Sequence, residues 1–497
     1  MAIHKVCGIE TEYGIHVVTA GDPSPTSASS LLINAYVSDL SGRVGWDFED
    51  ETPGRDARGF AREGSAAPEV ETHLVNTVLT NGARYYVDHA HPEYSTPECS
   101  TALELVLHDK AGERVLARSM AAAQKLLGEG ERIVVYKNNS DGKGNSYGCH
   151  ENYLIDRQTP FPRIIEQFTP HLVTRQIYTG AGKVGCEGPA ADTPGVTFQL
   201  TQRSDFFEEE VGLETTLKRP IINTRDEPHA DSQKYRRLHV IVGDANLCEV
   251  ATYLKVGVSA LILAMIEDDV LAERQLALAT PVLAIRQISH DITLSQLVEL
   301  RDGTTLTALE LQWELHRLAR KYADERGLDC VGGEEAGAGI LDRWETTLAA
   351  LEDDPMTLAR QLDWVAKLQL LDGYMARHSI DWDSPRAAAV DLQYHDVRPE
   401  RSLFARLSTE RLVTEADLDA AVHDPPETTR AYFRGRCLQL FPGSIAAANW
   451  DSVVFDLGED PLRRVPMMEP LRGSASHVDT LFMDCHSPAE LLRRLGS

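Results

Sequence analysis

Acidic and basic side chains recur two residues apart in two short stretches of this 497-residue sequence. Glu10 and Glu12 form the first pair, and Arg84, Tyr86 and Asp88 have the same spacing further along. Alternate residues of a β-strand share a face, so each set is expected to project together. Carboxylates this close repel unless a proton or cation lies between them, and such oxygen-rich sites suit Mg²⁺ or Mn²⁺. A solvated polar strand face would explain either set without any chemistry.

Both sets lie in stretches with strand signals. Residues 6–13 read as a first strand, and Asn81-Gly82 is a turn dipeptide that begins the second. Pro92 cannot donate to a sheet ladder, so the second strand is predicted to end there. The pattern further predicts strands over 131–136, 198–203 and 237–242, and helices over 98–127, from near residue 246, and through most of 306–377.

Several other polar residues are candidates for anion or metal contacts. Arg203 would lie on one face of its strand, and Arg237 and His239 would project together from another. His150 follows a turn-rich loop, and a phosphate contact, a metal ligand and a structural histidine are all open for it. Residues 218–239 contain six Lys or Arg against three acidic residues, either by chance or as a landing site for anionic groups.

A long interruption from about residue 24 to 67 separates the two candidate strands. It is rich in Gly, Ser, Pro and charge and shows no sustained period, which is typical of a functional loop or of disorder. Trp46, Phe48 and Phe60 would be unusual in a purely disordered linker. We therefore predict a mobile loop with aromatic docking points.

Composition excludes several classes of protein. The formal net charge of −27 argues against nucleic-acid binding and against docking on anionic membranes. The eight cysteines are scattered without a C-x-x-C motif, which favours reduced thiols in the cytoplasm. The N-terminus shows no secretion signal, and the most apolar run, 256–266, is too short to span a bilayer.

Two further motifs suggest alternative sites. Residues 180–185 match G-x-G-x-x-G, but the Gly- and Pro-rich stretch that follows would break the helix that a dinucleotide site needs. His89 and His91 would share a strand face as possible zinc ligands of a hydrolase, opposite the face that holds Asp88. No third histidine has an obvious ligand spacing.

Three motifs together closely resemble one known family. They are 10–14 (ETEYG), 81–88 (NGARYYVD) and 91–98 (HPEYSTPE), and the likeness continues through 430–435 and 449–451. The chain resembles the Pup ligase and Pup deamidase family of actinobacteria-type proteasome systems. The segment 24–67 resembles the deamidase/depupylase branch, because the ligase branch runs more directly from its first glutamates to its aspartate strand. The sequence DHAHP at 88–92 also resembles that branch, whereas the ligase branch has a glycine-containing variant there.

The resemblance implies an α+β, glutamine-synthetase-like fold, in which a curved antiparallel sheet flanked by helices cradles ATP and metal. It implies a catalytic domain over 1–425, with 24–67 as an inserted mobile loop, and a small C-terminal domain over 426–497.

The resemblance also implies an activity and its residues. The enzyme would deamidate the C-terminal glutamine of Pup and cleave the bond between Pup and a lysine, with ATP, or ADP plus phosphate, and Mg²⁺ as unconsumed cofactors. Its partners would be Pup, pupylated proteins and, functionally, the bacterial proteasome. Implied roles are catalysis for Asp88; metal binding for Glu10, Tyr86 and Glu93, and less strongly Glu12, His150 and His239; nucleotide binding for Arg84, Thr96 and Trp450; and substrate binding for Arg203 and Arg225.

Alternatives remain open at this point. The chain could be a Pup–protein ligase of the same family, or a catalytically silent Pup-binding protein. Asp88 could attack the amide directly, activate water, or work with bound phosphate.

Overall fold

The computed structural model describes all residues except 20, 22–23, 39, 41–42, 50, 61–73, 189–192, 273, 459–460 and 497. Its centre is a ten-stranded sheet that curls into a half-barrel, with helices packed around it. The predicted α+β class is confirmed. The strands are β1 Cys7–Glu12, β2 Gly14–Val18, β3 Val44–Trp46, β4 Asn76–Val78, β5 Arg84–Asp88, β6 His91–Ser95, β7 Arg132–Tyr136, β8 Cys149–Asp156, β9 Lys183–Val184, β10 Phe198–Gln199, β11 Phe207–Gly212, β12 Arg219–Asn223, β13 Tyr235–Val240, β14 Leu297–Glu299, β15 Thr305–Thr307, β16 Ile445–Ala448, β17 Ser452–Phe455 and β18 Arg463–Pro466.

The order of strands in the sheet is β13-β8-β1-β6-β5-β4-β3-β16-β17-β18. Every neighbouring pair is antiparallel except β3 and β16, which run parallel. The first strand of the chain, β1, therefore lies inside the sheet between β6 and β8. Both stretches that the sequence singled out lie on strands, and their strands are separated only by β6.

The hairpin between β5 and β6 corrects the expectation at Pro92. The chain turns at His89, whose φ is 51°, and Pro92 lies in the returning strand. Its carbonyl oxygen accepts a hydrogen bond from the Tyr13 backbone N–H at 3.0 Å. Proline is tolerated near the start of a strand, where no ladder donor is needed from it. The strand therefore ends before Pro92, and a second one begins at His91.

The helices surround this sheet. They are α1 Pro25–Val37, α2 Ala102–Gln124, α3 Phe161–Thr174, α4 Gln176–Thr179, α5 Glu249–Glu267, α6 Pro281–His290, α7 Ala308–Arg326, α8 Glu334–Asp353, α9 Asp363–His378, α10 Pro385–Tyr394, α11 Glu415–Ala421, α12 Ala431–Leu440, α13 Ala475–Asp484 and α14 Pro488–Leu495. The predicted helices over 98–127, near 246 and over 306–377 are confirmed.

One described helix, α5, is long and apolar enough by composition to cross a membrane. Within the fold 94% of its apolar window is buried, which is the environment of a core helix. Its side chains pack in the largest hydrophobic cluster, together with residues of α3, α7 and α8. The helix predicted from near residue 246 is confirmed, and the apolar run 256–266 lies buried within it.

The expectation of no regular structure over 24–67 is wrong for two of its parts. Helix α1 begins after Ser24, whose hydroxyl accepts from the Ser27 N–H at 3.3 Å, and Pro25 occupies its first turn. Leu32 and Ile33 are completely buried. Strand β3 joins the sheet. Residues 61–73 lie outside the described residues, and the mobility of the loop stays a prediction.

Two other predictions meet different outcomes. The strand expected over 198–203 ends at Gln199, because the chain then enters a 3₁₀ turn over Ser204–Phe206. In the C-terminal segment, β16, β17 and β18 extend the central sheet, and Phe433 and Phe482 pack in one cluster with Val44 and Trp46 of β3. The division into domains at 425 stays a prediction.

Candidate active site

The register of four strands places the acidic candidates in rows across one face of the sheet. Glu12 of β1 lies opposite Glu93 of β6, and Glu93 lies opposite Tyr86 of β5. On the other side of β1, Glu10 lies opposite His150 of β8. Directly paired residues point to the same face. A continuous polar surface is thus formed by directly paired residues that are 7 to 140 positions apart in the sequence.

A first cluster contains three carboxylates. One oxygen each of Glu12, Asp88 and Glu93 lies within 4.8 Å of the others. Burial raises the pKa of Glu93 well above its usual value, and the charges of Asp88 and Glu12 raise it further. The Tyr86 hydroxyl donates a hydrogen bond to Glu93. A cation held here would relieve this repulsion.

A second cluster contains Glu10, His150 and His239, whose ligand atoms also lie within 4.8 Å of one another. The Asn152 amide oxygen accepts from Nδ1 of His239 at 3.1 Å, and its nitrogen donates to Glu10 at 2.8 Å. Nη1 of Arg237 also lies 3.3 Å from Nδ1 of His239, while Nε2 is a buried atom that has no hydrogen-bond partner among the described residues. Such an oriented imidazole is the usual arrangement of a metal-ligating histidine.

Charge on Glu10 is favoured by its neighbours. Burial alone would raise its pKa, but the hydrogen bond to His150 and the charges of His239 and Arg237 outweigh burial and hold the pKa well below its usual value. The Arg237 guanidinium lies 3.7 Å from Glu10 and also from Glu227. The site therefore holds anionic ligands beside fixed cations.

Asp88 ends strand β5 at the edge of this surface and is half-buried. His89 Nδ1 lies 3.0 Å from its carboxylate. Burial would raise the pKa of Asp88, but the hydrogen bond to His89 and the nearby charges of His150 and Arg84 hold it below the usual value. Asp88 is thus kept as the carboxylate of the first cluster that lies at the edge of the sheet.

Arg84 is fixed between two aromatic rings. Its guanidinium carbon lies 4.0 Å from the centre of Trp46 and 3.9 Å from that of Tyr86, and Nε donates to Asn76 at 3.0 Å. Such stacking holds a guanidinium in one orientation. Trp450 packs edge-on against Trp46 at 5.2 Å between ring centres. The Arg84 guanidinium and the Trp450 indole therefore lie close together, and both line the first of the cavities described next.

Two cavities meet at Asp88. The first, of about 190 Å³, is lined by the second cluster, by Asp88 and Glu93 of the first cluster, and by Arg84, Arg225 and Trp450. The second, of about 490 Å³, is lined by Glu12, His91, Arg203 and Arg219. Asp88, His89 and His150 line both. Asp88 therefore faces an acidic, cation-compatible chamber on one side and an arginine-lined chamber on the other.

A third, smaller cavity of about 80 Å³ adjoins the first and contains Thr96. It shares Glu10, Arg237 and Trp450 with the first cavity, while its other walls include apolar residues such as Leu154. The Thr96 hydroxyl accepts from the Ile9 N–H at 3.0 Å. Thr96 is therefore placed beside the charged chamber and is not within it.

Arg203 is buried and held by the backbone. Nη1 donates to the Ile241 carbonyl oxygen, and Nε donates to Ser146 at 3.2 Å. Burial and the charge of Arg219 lower the pKa of Arg203 to about 10. The two arginines therefore lie close together at the wall of the second cavity and would attract an anionic group.

The structure brings together all twelve residues expected at the site, in three adjoining cavities. The zinc alternative fails on geometry, because His89 lies in the hairpin turn and not on a strand face shared with His91. In the basic segment 218–239, Arg236 bonds Thr159 and Arg237 contacts two carboxylates. Arg219 and Arg225 line the second and first cavities, so the binding of anionic groups by this segment stays a prediction.

Sequence reasoning missed several residues of the site. Asn152 lies two residues after His150 on the same strand, so alternation alone could have identified it. His229 and Glu227 line the first cavity from an irregular segment, and His229 has a φ of 45°. No periodic signal marks either residue.

Comparison with known proteins identifies the family. The family model described as Pup-ligase protein matches residues 5–454. The chain belongs to this family. A depupylase of Acidothermus cellulolyticus is 54% identical, with 99% of each chain covered. A Pup deamidase/depupylase of Mycobacterium tuberculosis is 50% identical, again with 99% of each covered. A Pup–protein ligase of Acidimicrobium ferrooxidans is 40% identical, covering 96% of this chain and 98% of the ligase.

Solved structures of Pup ligases share this fold. The ligase PafA in complex with Pup aligns with a TM-score of 0.80 at 35% identity, covering 99% of this chain and 94% of that one. PafA in complex with ADP aligns with a TM-score of 0.73 at 38% identity, covering 82% and 89%. The predicted glutamine-synthetase-like fold is confirmed for this Pup-ligase family member.

Proposed function

We propose that this family member is a Pup deamidase and depupylase. It converts the C-terminal glutamine of Pup to glutamate and cleaves the isopeptide bond between that glutamate and a target lysine. It acts in the cytoplasm, in the same degradation system as the bacterial proteasome. The observation that supports this most directly is Asp88, an ionised carboxylate at the junction of two cavities. The greater identity to depupylases than to ligases supports the hydrolytic branch.

We assign the first cavity to a nucleotide and Mg²⁺. The oxygens of Glu10, Tyr86 and Glu93 suit Mg²⁺, and Glu12 joins the same carboxylate cluster from the wall of the second cavity. His150 and His239 lie beside Glu10 and complete the proposed metal-binding set. Arg84 and Arg225 provide cations for phosphates, while Trp450 and the apolar walls near Thr96 suit a base. The ADP bound by the related ligase supports the nucleotide. Bound Mg²⁺ would neutralise these carboxylates and the phosphates and polarise nearby oxygens.

Asp88 is the catalytic residue in this proposal. Its depressed pKa keeps it unprotonated at neutral pH. A carboxylate in this position can attack the amide carbonyl carbon or remove a proton from an attacking water molecule. His89, at 3.0 Å, orients the carboxylate in either role. Both reactions break an amide at the same side-chain carbonyl, so one aspartate can act on both substrates.

The second cavity is assigned to the C-terminal residue of Pup. That residue has a free α-carboxylate beside its side-chain amide, and Arg203 can hold a carboxylate, with Arg219 beside it. Their burial strengthens the attraction because solvent screens it less. With the carboxylate anchored there, the side chain can extend toward Asp88, which lines the same cavity.

Mass spectrometry of Pup ending in glutamine tests the activity. Incubation with the protein, Mg²⁺ and ATP should convert the amide to the acid and release ammonia. Asp88→Asn should lower turnover at least about 1,000-fold, because the amide can neither attack nor take a proton, while equilibrium dialysis shows nucleotide still bound. Asp302→Asn, in an exposed turn, is the matched control and should keep full activity. Full activity of Asp88→Asn would overturn the assignment.

A parallel reaction distinguishes the ligase. Pup ending in glutamate is incubated with ATP and a lysine-containing target. Conjugate formation with one ADP per conjugate would identify a ligase, and tight Pup binding with neither reaction would identify a silent binding protein. The proposal predicts neither result.

A further inference from the structure

A second group of potential metal ligands lies outside the sheet face. Cys186 follows β9, Asp205 lies in the 3₁₀ turn over Ser204–Phe206, and His290 is the last residue of α6. One ligand atom of each lies within 4.8 Å of the others. Nε2 of His290 is 3.7 Å from the Cys186 sulfur and 2.8 Å from Oδ1 of Asp205. Three separate elements thus converge on one point.

The hydrogen bonds of Asp205 leave one oxygen directed at this point. Oδ2 accepts from Lys183 Nζ at 3.1 Å, from Gln199 at 2.8 Å and from the Glu187 N–H at 3.0 Å. Oδ1 accepts from Nε2 of His290, its single hydrogen-bond donor among the described residues. The carboxylate is therefore held rigidly by one oxygen while the other is directed toward the imidazole.

We propose that Cys186, Asp205 and His290 form a Zn²⁺ site that fastens the wall of the second cavity. A sulfur, a nitrogen and an oxygen ligand form a set that suits zinc, whereas Mg²⁺ prefers oxygen alone. Zn²⁺ bonds to the sulfur as the thiol proton leaves to solvent, and to Nε2 of His290 as its proton moves to Nδ1. The fourth position of the tetrahedron is left for water.

The charges around the cluster balance a divalent cation. With the thiolate formed, Cys186, Asp205 and Glu187 each contribute one negative charge, and Lys183, 3.2 Å from Glu187, contributes one positive charge. The sum is two negative charges. Burial and the charge of Asp205 raise the pKa of the free Cys186 thiol to about 11, so the sulfur ligates only when a metal displaces its proton.

The cluster is joined to the second cavity through its neighbours. Arg203, Phe206 and Gly188 line that cavity and lie within two residues of Asp205 or Cys186. Glu187 accepts hydrogen bonds from Ser140 and, at 3.1 Å, from the Gly144 N–H. A bound ion would therefore tie the loop that contains Cys186 to the turn that contains Arg203.

Cobalt substitution tests the site in the full-length protein. Co²⁺ is titrated in saturating Mg²⁺ and ATP, and the near-ultraviolet charge-transfer band that only thiolate ligation produces is recorded. The band should appear at one Co²⁺ per chain, and Zn²⁺ should remove it. Cys186→Ser should abolish it, and His290→Gln, which keeps the thiol, should weaken Co²⁺ binding at least about tenfold. The carboxylate clusters contain no thiol and cannot produce the band.

Cys330→Ser is the matched control, since Cys330 is the other half-buried thiol among the described cysteines. It should keep the band. Near-ultraviolet circular dichroism checks that each variant is folded. The proposed zinc site would be refuted if the unmodified protein gave no band or if Cys186→Ser kept it. It would also be refuted if Cys330→Ser lost the band as fully as Cys186→Ser. None of these readouts uses Pup, so the outcome is independent of the proposed function.

Discussion

Glu98 provides a direct test of how buried charge stabilises this fold. Its carboxylate accepts from Nε of Arg430 at 2.7 Å and from both terminal nitrogens of Arg434. Arg434 is completely buried and also donates to the carbonyl oxygens of Gly82 at 2.9 Å and Trp450 at 3.0 Å. Glu98 is therefore a buried anion that pairs with two arginines of the C-terminal segment beside the candidate site.

The pKa of Glu98 sets the magnitude. Burial would raise the pKa, but Arg434 and Arg430 lower it from 4.5 to about 2. A folded-state pKa below the unfolded one stabilises the protein above pH 4.5, and this stabilisation is lost as the pH falls toward 2. At 1.36 kcal/mol per pH unit, the contribution is about 3 kcal/mol at pH 7 and about 2 kcal/mol at pH 3.5.

Glu98→Gln removes the charge and keeps the shape. The free energy of unfolding, measured by urea titration with tryptophan fluorescence, should fall by about 3 kcal/mol at pH 7, and the difference from the unmodified protein should shrink below pH 4.5. Glu415→Gln is the control, since Glu415 makes an ion pair with Arg114 at the surface and should lose less than about 1 kcal/mol. The reasoning would be refuted if both variants lost the same free energy of unfolding at pH 7. It would also be refuted if the difference between Glu98→Gln and the unmodified protein were the same at pH 3.5 as at pH 7.

Three further substitutions test packing and the site. Alanine is a better helix former than glycine by about 1 kcal/mol, yet Gly112→Ala should destabilise by about 1–2 kcal/mol, because the added Cβ would lie 2.5 Å from the buried Tyr94 ring. Gly373→Ala is the control, because no atom lies within 4 Å of the added Cβ, and its free energy of unfolding should rise by up to about 1 kcal/mol in the same urea titration. If Gly373→Ala lost as much stability as Gly112→Ala, the clash with Tyr94 would not be the cause. Arg84→Lys keeps the charge but loses stacking on two rings, so the ATP concentration for half-maximal deamidation should rise about 5- to 30-fold, and an unchanged value would exclude this role.

Local patterns predicted correctly which side chains share a face of the sheet, because a strand has a period of two. Glu10 and Glu12, and Arg84, Tyr86 and Asp88, do share a face, and the long apolar helix is buried. Composition alone gave a wrong expectation for residues 24–67, which were predicted to have no regular structure. A Gly- and Ser-rich segment contains helix α1, whose Ser-Pro start is itself a helix signal.

The sequence by itself determined which residues could ligate a cation and that alternate ones would project together, since strand geometry is local. Only the tertiary structure decided that Glu93 lies opposite Glu12, that Asp88 is shared by two cavities, and that Trp450 packs beside Trp46. Strand order and register depend on contacts between distant segments, and burial and neighbouring charges set the pKa values of these groups. Neither the strand register nor these pKa values can be read from a periodic pattern in the sequence.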